Sequence, residues 1–231
     1  MTENNKDEFI EIARIKEEFI ANASHELKTP IASVRLAAES ALTSLERDDG
    51  MTKTFLEQIL RDSDRMNELI SDLLDLSAME SSDVFMEAFD LHDVIANEIS
   101  YLSKQNKKRI SYKKKKVEIN ANFDDISLAV KNLIKNALKY SPPEENILIQ
   151  VEENDKSVRC SFQDFGSGIS KPDQEKIFER FYRVDKGRSR KVGGTGLGLA
   201  IVKHALDRNN AVIEIVSELD HGSNFTIVFE K

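Results

Sequence analysis

Residues 22–31 read NASHELKTPI, inside a stretch, 8–47, whose apolar side chains otherwise recur at helical spacing. The stripe runs Ile12, Ile15, Phe19, Ala23, Leu27, Ile31, Val34, Ala38, Ala41, Leu45, advancing by threes and fours as one face of an α-helix does. Pro30 breaks the pattern. Inside a helix it removes the hydrogen bond to the carbonyl of Glu26 and costs about 3 kcal/mol or more unless packing offsets it. Side chains advance by ~100° per residue, so His25, two positions from both Ala23 and Leu27, points away from the apolar stripe toward water. An exposed histidine beside a kink is either an ordinary surface residue or a group that another module must approach.

Working outward, RDDGM at 47–51 is a turn signal with Gly50 as a helix stop. A second stripe follows: Phe55, Ile59, Asp62 or Ser63, Met66, Ile70, Leu73, Leu76. Two long helices and a short turn make an antiparallel hairpin. Each stripe is wider than one partner helix covers, so the economical way to bury it is dimerisation into a four-helix bundle. After SAMESSDV the pattern changes. FMEAFDL and RISYK read as short strands around a helix near 91–105, and 124–140 as another amphipathic helix. NILIQVEE and SVRCSFQDFG read as strands, GLGLAIVKHALDR as a helix, and AVIEIVSE and SNFTIVFE as a closing hairpin. The expected fold class is therefore α, a helical hairpin forming a dimeric bundle, followed by α+β, a two-layer sandwich of a mixed sheet with helices on one face. The expected domains are 1–82 and 83–231.

Composition excludes several classes. The chain has 231 residues, 40% hydrophobic and 32% charged, with a net charge of −8. An acidic chain has no electrostatic footprint for nucleic acid. KKKK at 113–116 is the one dense basic block and reads as a solvated strand end. A lone cysteine, Cys160, supports no disulfide framework; it reads as a packed thiol in a strand, and a reducing cytoplasmic setting fits. No stretch approaches the ~18 apolar residues of a membrane helix, and the polar opening MTENNKDEF is no signal peptide, which leaves room for this being the inner portion of a membrane-anchored parent.

Beside His25, Glu26 offers a carboxylate to the ring Nδ1 proton, which would leave Nε2 as a nucleophilic lone pair. Thr29 shares its face one turn on. In NLIKNALKYSPP (132–143), Asn132 and Asn136 lie four apart on one face. Neutral carboxamides offer oxygen to Mg²⁺ without repelling a polyphosphate, and Lys139 extends toward phosphate; asparagine pairs also occur on wet helix faces. In DFGSGI (164–169), Asp164 can accept a hydrogen bond from the amine of adenine, where guanine has a carbonyl, and Gly166 and Gly168 let backbone approach a base. Asp-x-Gly alone is common in turns. GGTGLGLAIV (193–202) opens a helix with Gly194, Thr195, Gly196, Leu197 and Gly198, whose free N–H groups suit an anion; the spacing is not that of a dinucleotide fingerprint. Between these, IFERFYRVDKGRSRK (177–191) carries Phe178, Phe181 and Tyr182 and then a basic run, a composition suited to a lid with Arg183 near the γ-phosphate.

FIANASHELKTPI resembles the H-box of sensor histidine kinases of two-component systems, and the four later motifs, in this order, resemble the N-box, G1, F-box and G2 motifs of their ATP domain, a fold shared with gyrase, Hsp90 and MutL-type ATPases. The resemblance covers about residues 8–230. It implies ATP and Mg²⁺ as cofactors, His25 as phosphoacceptor, Glu26 as its general base and Asn136 as main Mg²⁺ ligand. Asn132 would lie beside the phosphates, Lys139 and Tyr140 would flank the nucleotide, and Asp164 would read adenine. It implies a homodimer that passes its phosphoryl group to an aspartate on the receiver domain of a response regulator. The Glu26-x-x-Thr29 spacing resembles that of members that also dephosphorylate their regulator. Three positions depart from the family: NNA at 209–211 replaces His-Gly-Gly, Ser223-Asn224 replaces Gly-Thr, and Phe165 replaces a small or polar residue. The alternatives are an ATP-hydrolysing machine of the gyrase, Hsp90 or MutL type and an inactive scaffold. The first uses a glutamate on the N-box helix to activate water, where this chain has Asn132.

Overall fold

The computed structural model describes residues 3–47, 50–184 and 194–231, the side chains of 3–13, 15 and 16 excepted. By contacts the chain divides into two compact units, residues 1–73 with 193–195, and residues 74–192 with 196–231.

The first unit is the hairpin of α1 (Glu3–Arg47) and α2 (Thr52–Ser81), both helices falling where the apolar spacing placed them. Pro30 sits inside α1, which continues through it, and its ring is buried. Two polar ties link the helices. Thr52 Oγ1 donates to Ser44 Oγ at 3.1 Å beside the turn, and the Arg65 guanidinium meets Glu26 Oε2 at 2.9 Å. The buried face of this single hairpin is made by Ala37, Ala41 and Ser44 with Leu69 and Asp72. Ile31, Leu45 and Ile70, expected on the buried stripe, are exposed instead. The stripe is wide enough to split into two seams, and one partner helix covers only the small-residue seam. Ile12 and Ile15 lie outside the described side chains.

The second unit begins with the last turns of α2. It continues through β1 (Glu87–Asp90), α3 (Leu91–Ser100), α4 (Lys104–Lys108), β2 (Ile110–Tyr112), β3 (Glu118–Ala121) and α5 (Phe123–Tyr140). Then come β4 (Ile147–Glu153), β5 (Ser157–Gln163), α6 (Lys171–Gln174), α7 (Gly198–Arg208), β6 (Ala211–Ser217) and β7 (Ser223–Glu230). Five strands form one sheet in the order β2-β4-β5-β7-β6, with β2 and β4 parallel and the other pairs antiparallel. The sheet is therefore mixed, as the sequence pattern implies. Alternate residues of β4 and β5 are buried, so one face is covered. The core joins Ile147, Ile149, Phe162 and Ile227 of the sheet to Leu133 and Ile134 of α5 and Ile201 and Leu206 of α7. Cys160 is fully buried in β5, and burial pushes its thiol far up, so it packs as a small apolar group.

Strand β3 has no counterpart in the sequence reading. It pairs with β1 in a separate two-stranded antiparallel sheet. The lysine run before it hides a short alternation in which Val117, Ile119 and Ala121 are buried. The lysines themselves lie between β2 and β3, three of the four fully exposed.

Three described helix starts carry side-chain caps: Asn122 Oδ1 accepts from Asp125 N at 2.9 Å for α5, Asp90 Oδ1 from His92 N at 3.0 Å for α3, and Ser103 Oγ from Asn106 N at 3.2 Å for α4. Asn209, the first residue of the unusual NNA turn, is buried and ties α7 to the start of α5: its Oδ1 accepts from Asn122 N at 2.6 Å, and its Nδ2 donates to Asp125 Oδ2 at 3.1 Å. The departure from His-Gly-Gly is thus built into the core. Arg208 joins the same network. It donates to Asp125 Oδ2, to the carbonyl of Met79 and to the carbonyl and hydroxyl of Ser82, holding the end of α2 on this unit.

Candidate functional site

On α1, His25 is exposed, as its angle from the apolar stripe requires. Thr29 is exposed on the same face, and its hydroxyl donates to the His25 carbonyl at 3.2 Å. That bond does not replace the one that Pro30 removes, which would go to the Glu26 carbonyl. Glu26 is half-buried, and its carboxylate is held by Arg65 of α2. Arg65 was not singled out from the sequence, because no local motif announces a partner 39 residues away.

The second unit brings the N-box, G1, F-box and G2 residues against one another. Asn132, on α5, is buried; its Nδ2 donates to Leu128 O at 2.9 Å, and its Oδ1 lies 3.0 Å from where a Cβ on Gly198 would stand. The start of α7 therefore abuts the carboxamide, and a side chain there would require it to give by a few tenths of an ångström. Asn136 follows one turn later, half-buried. Lys139 places its ammonium 5.4 Å from the Tyr140 ring centroid, a cation–π contact, with Tyr140 itself exposed.

Asp164 is buried at the end of β5. Its Oδ1 accepts from Gly166 N at 2.9 Å and from Ser223 N at 3.2 Å, and its own N–H donates to Ser223 O at 2.8 Å. Burial raises its carboxyl above the usual range against these hydrogen bonds, which pull it down. The Ser223 side chain adds to these backbone contacts, which the family's usual glycine could not do: it too hydrogen-bonds Asp164, and its hydroxyl lies 2.9 Å from Ser217 Oγ. Gly166 is fixed by close approach: a Cβ would overlap the Tyr140 carbonyl oxygen. The neighbouring Phe165 N–H donates to Ser141 Oγ at 3.0 Å. Gly168 has φ of +66° beside the Glu218 backbone.

In the F-box segment Phe178 is half-buried, and Phe181 holds φ of +65°, a conformation that costs a non-glycine residue about 1–2 kcal/mol. It is held there because its N–H donates to Gly196 O at 2.9 Å, and Gly196, at φ of +74°, leaves no room for a Cβ. Tyr182 Oη donates to Asp173 Oδ1 at 2.6 Å, and that bond with Ser170 Oγ holds the Asp173 carboxyl below its usual range. Arg183 and Gly194 are half-buried and Leu197 is buried. The basic end of the expected lid, 185–191, lies outside the described residues. Thr195 belongs with the first unit: it is buried, and its hydroxyl donates to Asp72 Oδ2 at 2.6 Å. The apolar spacing of α2 does not single out Asp72, whose partner lies 123 residues away.

The arrangement of the second unit suits a nucleotide. A buried carboxylate sits beneath glycine backbone, two carboxamides share one helix face, and the glycines of G2 close onto α5 and the F-box. Among the described residues no group of three His, Cys, Asp or Glu could hold a metal ion.

Residues 15–82 match the family described as His Kinase A (phospho-acceptor) domain, and residues 121–231 the family described as Histidine kinase-, DNA gyrase B-, and HSP90-like ATPase. The sensor-like histidine kinase SenX3 of Mycolicibacterium smegmatis is 33% identical over 97% of this chain and 60% of its own length. The phosphate regulon sensor protein PhoR of Pseudomonas aeruginosa is 36% identical over 95% of this chain and 51% of its own. The chain belongs to the sensor histidine kinases. It spans about half the length of the curated sensor histidine kinases that it matches. In fold, it is similar over its whole length to histidine kinase ThkA, solved in complex with response regulator protein TrrA, with a TM-score of 0.74 at 20% identity and 67% of that chain covered. Among the described residues no helix is long and apolar enough to cross a membrane.

Proposed function

We propose that this chain is an ATP-dependent protein-histidine kinase that phosphorylates His25 and passes the phosphoryl group to an aspartate of a response regulator. The observation that carries the reading is the pairing, in one chain, of an exposed histidine on a phospho-acceptor hairpin with a buried Asp164 beneath glycine backbone. His25 Nε2 forms a P–N bond to the γ-phosphorus as the bond to the bridging oxygen breaks, and ADP leaves. Glu26 takes the Nδ1 proton, with Arg65 orienting its carboxylate. Positioning and charge neutralisation do most of the work in such a transfer. Asp164 accepts from the adenine amine, with Gly166 and Gly168 beneath the base. Asn132, Lys139 and the backbone of Gly194, Thr195, Gly196, Leu197 and Gly198 serve the phosphates with Arg183, while Tyr140 and Phe178 flank the nucleotide. Asn136 is the residue we assign to Mg²⁺, which supplies charge neutralisation when bound.

We place the working boundary at 82/83, the end of α2, and assign the hairpin to a homodimer. Ile20, Ile31, Leu42, Leu45, Leu60 and Ile70 expose apolar area in the single hairpin. Burying such a side chain stabilises by about 1.5–3 kcal/mol, which supports a second copy as the cover. An ATP-consuming reaction puts the chain in the cytoplasm. Thr29, one turn from His25, is assigned to orient the water that hydrolyses the regulator's acyl phosphate.

The test is incubation with γ-labelled ATP and Mg²⁺. Acid-labile, alkali-stable label on the protein is the expected result. Release of phosphate without labelling would assign the chain to ATP hydrolysis, and the absence of both labelling and release would make it a scaffold.

A further inference from the structure

Arg109 lies at the end of α4, in the basic run KKR, where the sequence distinguishes it in no way from its solvated neighbours. Its guanidinium does not face water alone. Nη1 donates to the Leu138 carbonyl at 3.2 Å, Nη2 to the Ser141 carbonyl at 3.3 Å and the Pro142 carbonyl at 2.7 Å, and Nε to the Glu145 carbonyl at 3.2 Å. Four carbonyls at and just beyond the C-terminal end of α5 thus converge on one cation. The last carbonyls of a helix are left without intrahelical donors, and a cation there also meets the negative end of the helix dipole. Arg109 is itself fixed, since its backbone carbonyl accepts from Ile147 N at 2.7 Å at the start of β4.

The turn so held carries the contacts that shape the loop after Asp164. Ser141 is buried, and its Oγ accepts from Phe165 N at 3.0 Å. Tyr140 O lies against Gly166 so closely that no side chain fits, and Gly166 N donates to Asp164 Oδ1. The guanidinium therefore stands two hydrogen bonds from the loop in which Asp164 sits.

We propose that Arg109 is a positioning residue for adenine recognition: by clamping the α5 turn it sets Ser141 and the Tyr140 carbonyl, and through them the 164–166 backbone that aims Asp164 at the base. The proposal rests on Asp164 as the adenine contact. It also implies that lysine cannot replace this arginine. An ammonium is a single point with three donors, whereas the planar fork reaches carbonyls on both of its edges.

The experiment compares ATP with inosine triphosphate, which carries a carbonyl in place of the adenine amine, by calorimetry on the full chain with Mg²⁺. The ratio of the two affinities is the readout, because a loss of folded protein lowers both equally and leaves the ratio alone. Wild type is expected to prefer ATP by about tenfold or more. Arg109→Gln and Arg109→Lys should each reduce that preference by about threefold or more, as contacts within one network do. Ser141→Ala, which removes the relay and keeps the carbonyls, should reduce it too, and the double variant should lose no more than Arg109→Gln alone. A wild type without preference overturns the Asp164 reading and this proposal with it. A wild-type preference that survives both Arg109→Gln and Ser141→Ala overturns the proposal alone, as do losses that multiply in the double variant. Should Arg109→Gln not fold, Ser141→Ala decides.

Discussion

Asp164→Asn is the substitution that separates recognition from folding most cleanly. Asparagine keeps an oxygen at the Oδ1 position, so the bonds from Gly166 N and Ser223 N, at 2.9 and 3.2 Å, survive. What changes is the other edge of the side chain, where an acceptor becomes an NH₂ donor aimed at the adenine amine. A hydrogen bond to a charged group is worth about 1.5–3 kcal/mol, so ATP affinity should fall by about ten- to a hundredfold, with the new donor–donor contact pushing toward the upper end. Stability should move the other way. Burial raises the Asp164 carboxyl, so the folded state binds its proton more tightly than the unfolded state does. That contribution is fully present below the unfolded-state pKa and is lost as pH rises through the folded one; at neutral pH the cost of the buried charge is complete, and asparagine removes it. The ligand-free variant should therefore melt no lower than wild type at pH 7, while wild-type ATP affinity weakens as acid protonates the carboxyl. Calorimetry with ATP and GTP, alongside melting curves, is the assay. The variant should lose ATP and gain GTP relative to wild type, since an NH₂ matches the guanine carbonyl. Equal ATP affinity in the two proteins refutes the contact, and a large drop in melting temperature refutes the claim that the hydrogen bonds to Oδ1 are retained.

His25→Ala should abolish labelling from γ-labelled ATP while ATP affinity stays at the wild-type value, because the side chain is exposed; lost nucleotide binding would mean its role has been misassigned. Glu26→Gln should slow labelling strongly and Arg65→Met only several-fold, since one removes the base and the other its orientation, with rapid-quench kinetics as the measure and an unchanged Glu26→Gln rate ruling out the base. Leu60→Lys places a charge in the exposed apolar seam and should turn a dimer into a monomer by sedimentation; a wild-type monomer would count against the bundle. Thr29→Ala should keep labelling and phosphotransfer but slow the decay of phospho-regulator in the presence of ADP, and identical decay curves would sink the phosphatase role.

What could be read in advance followed from periodicity and local chemistry. The hairpin, the order of strands and helices and the exposure of His25 are all short-range consequences of side-chain spacing. What could not be read depends on pairings far apart in the chain. Arg65 and Arg109 look like any solvated cation until the fold sets Glu26 beside one and the end of α5 beside the other. Ile31 and Ile70 were assigned to a buried stripe because spacing defines a face, not how much of that face one partner covers. Strand β3 is four residues long, and the lysine run before it masks its alternation. The unusual residues at 209 and 223 are both used through their side chains: Asn209 ties α7 to the start of α5, and Ser223 meets Asp164 and Ser217.

The choice between phosphorylating a histidine and hydrolysing ATP turns on α5. A hydrolytic machine needs a base beside the γ-phosphate to deprotonate water, and in the related fold a glutamate on this helix supplies it. Here the position is Asn132, whose Nδ2 is committed to the Leu128 carbonyl and whose Oδ1 packs on the start of α7. A carboxamide has no basicity for that proton, and its orientation is fixed by both ends. Gly198 reinforces the point, since a side chain there would press on that carboxamide. A unit with no base beside its phosphates needs a nucleophile from elsewhere that arrives with its own. The α1 helix of this chain presents such a pair, an exposed imidazole at 25 followed directly by a carboxylate at 26. On the function proposed above, nucleophile and nucleotide site are divided between two modules of one chain, so the reaction would be regulated by whatever brings the modules together, without altering either site.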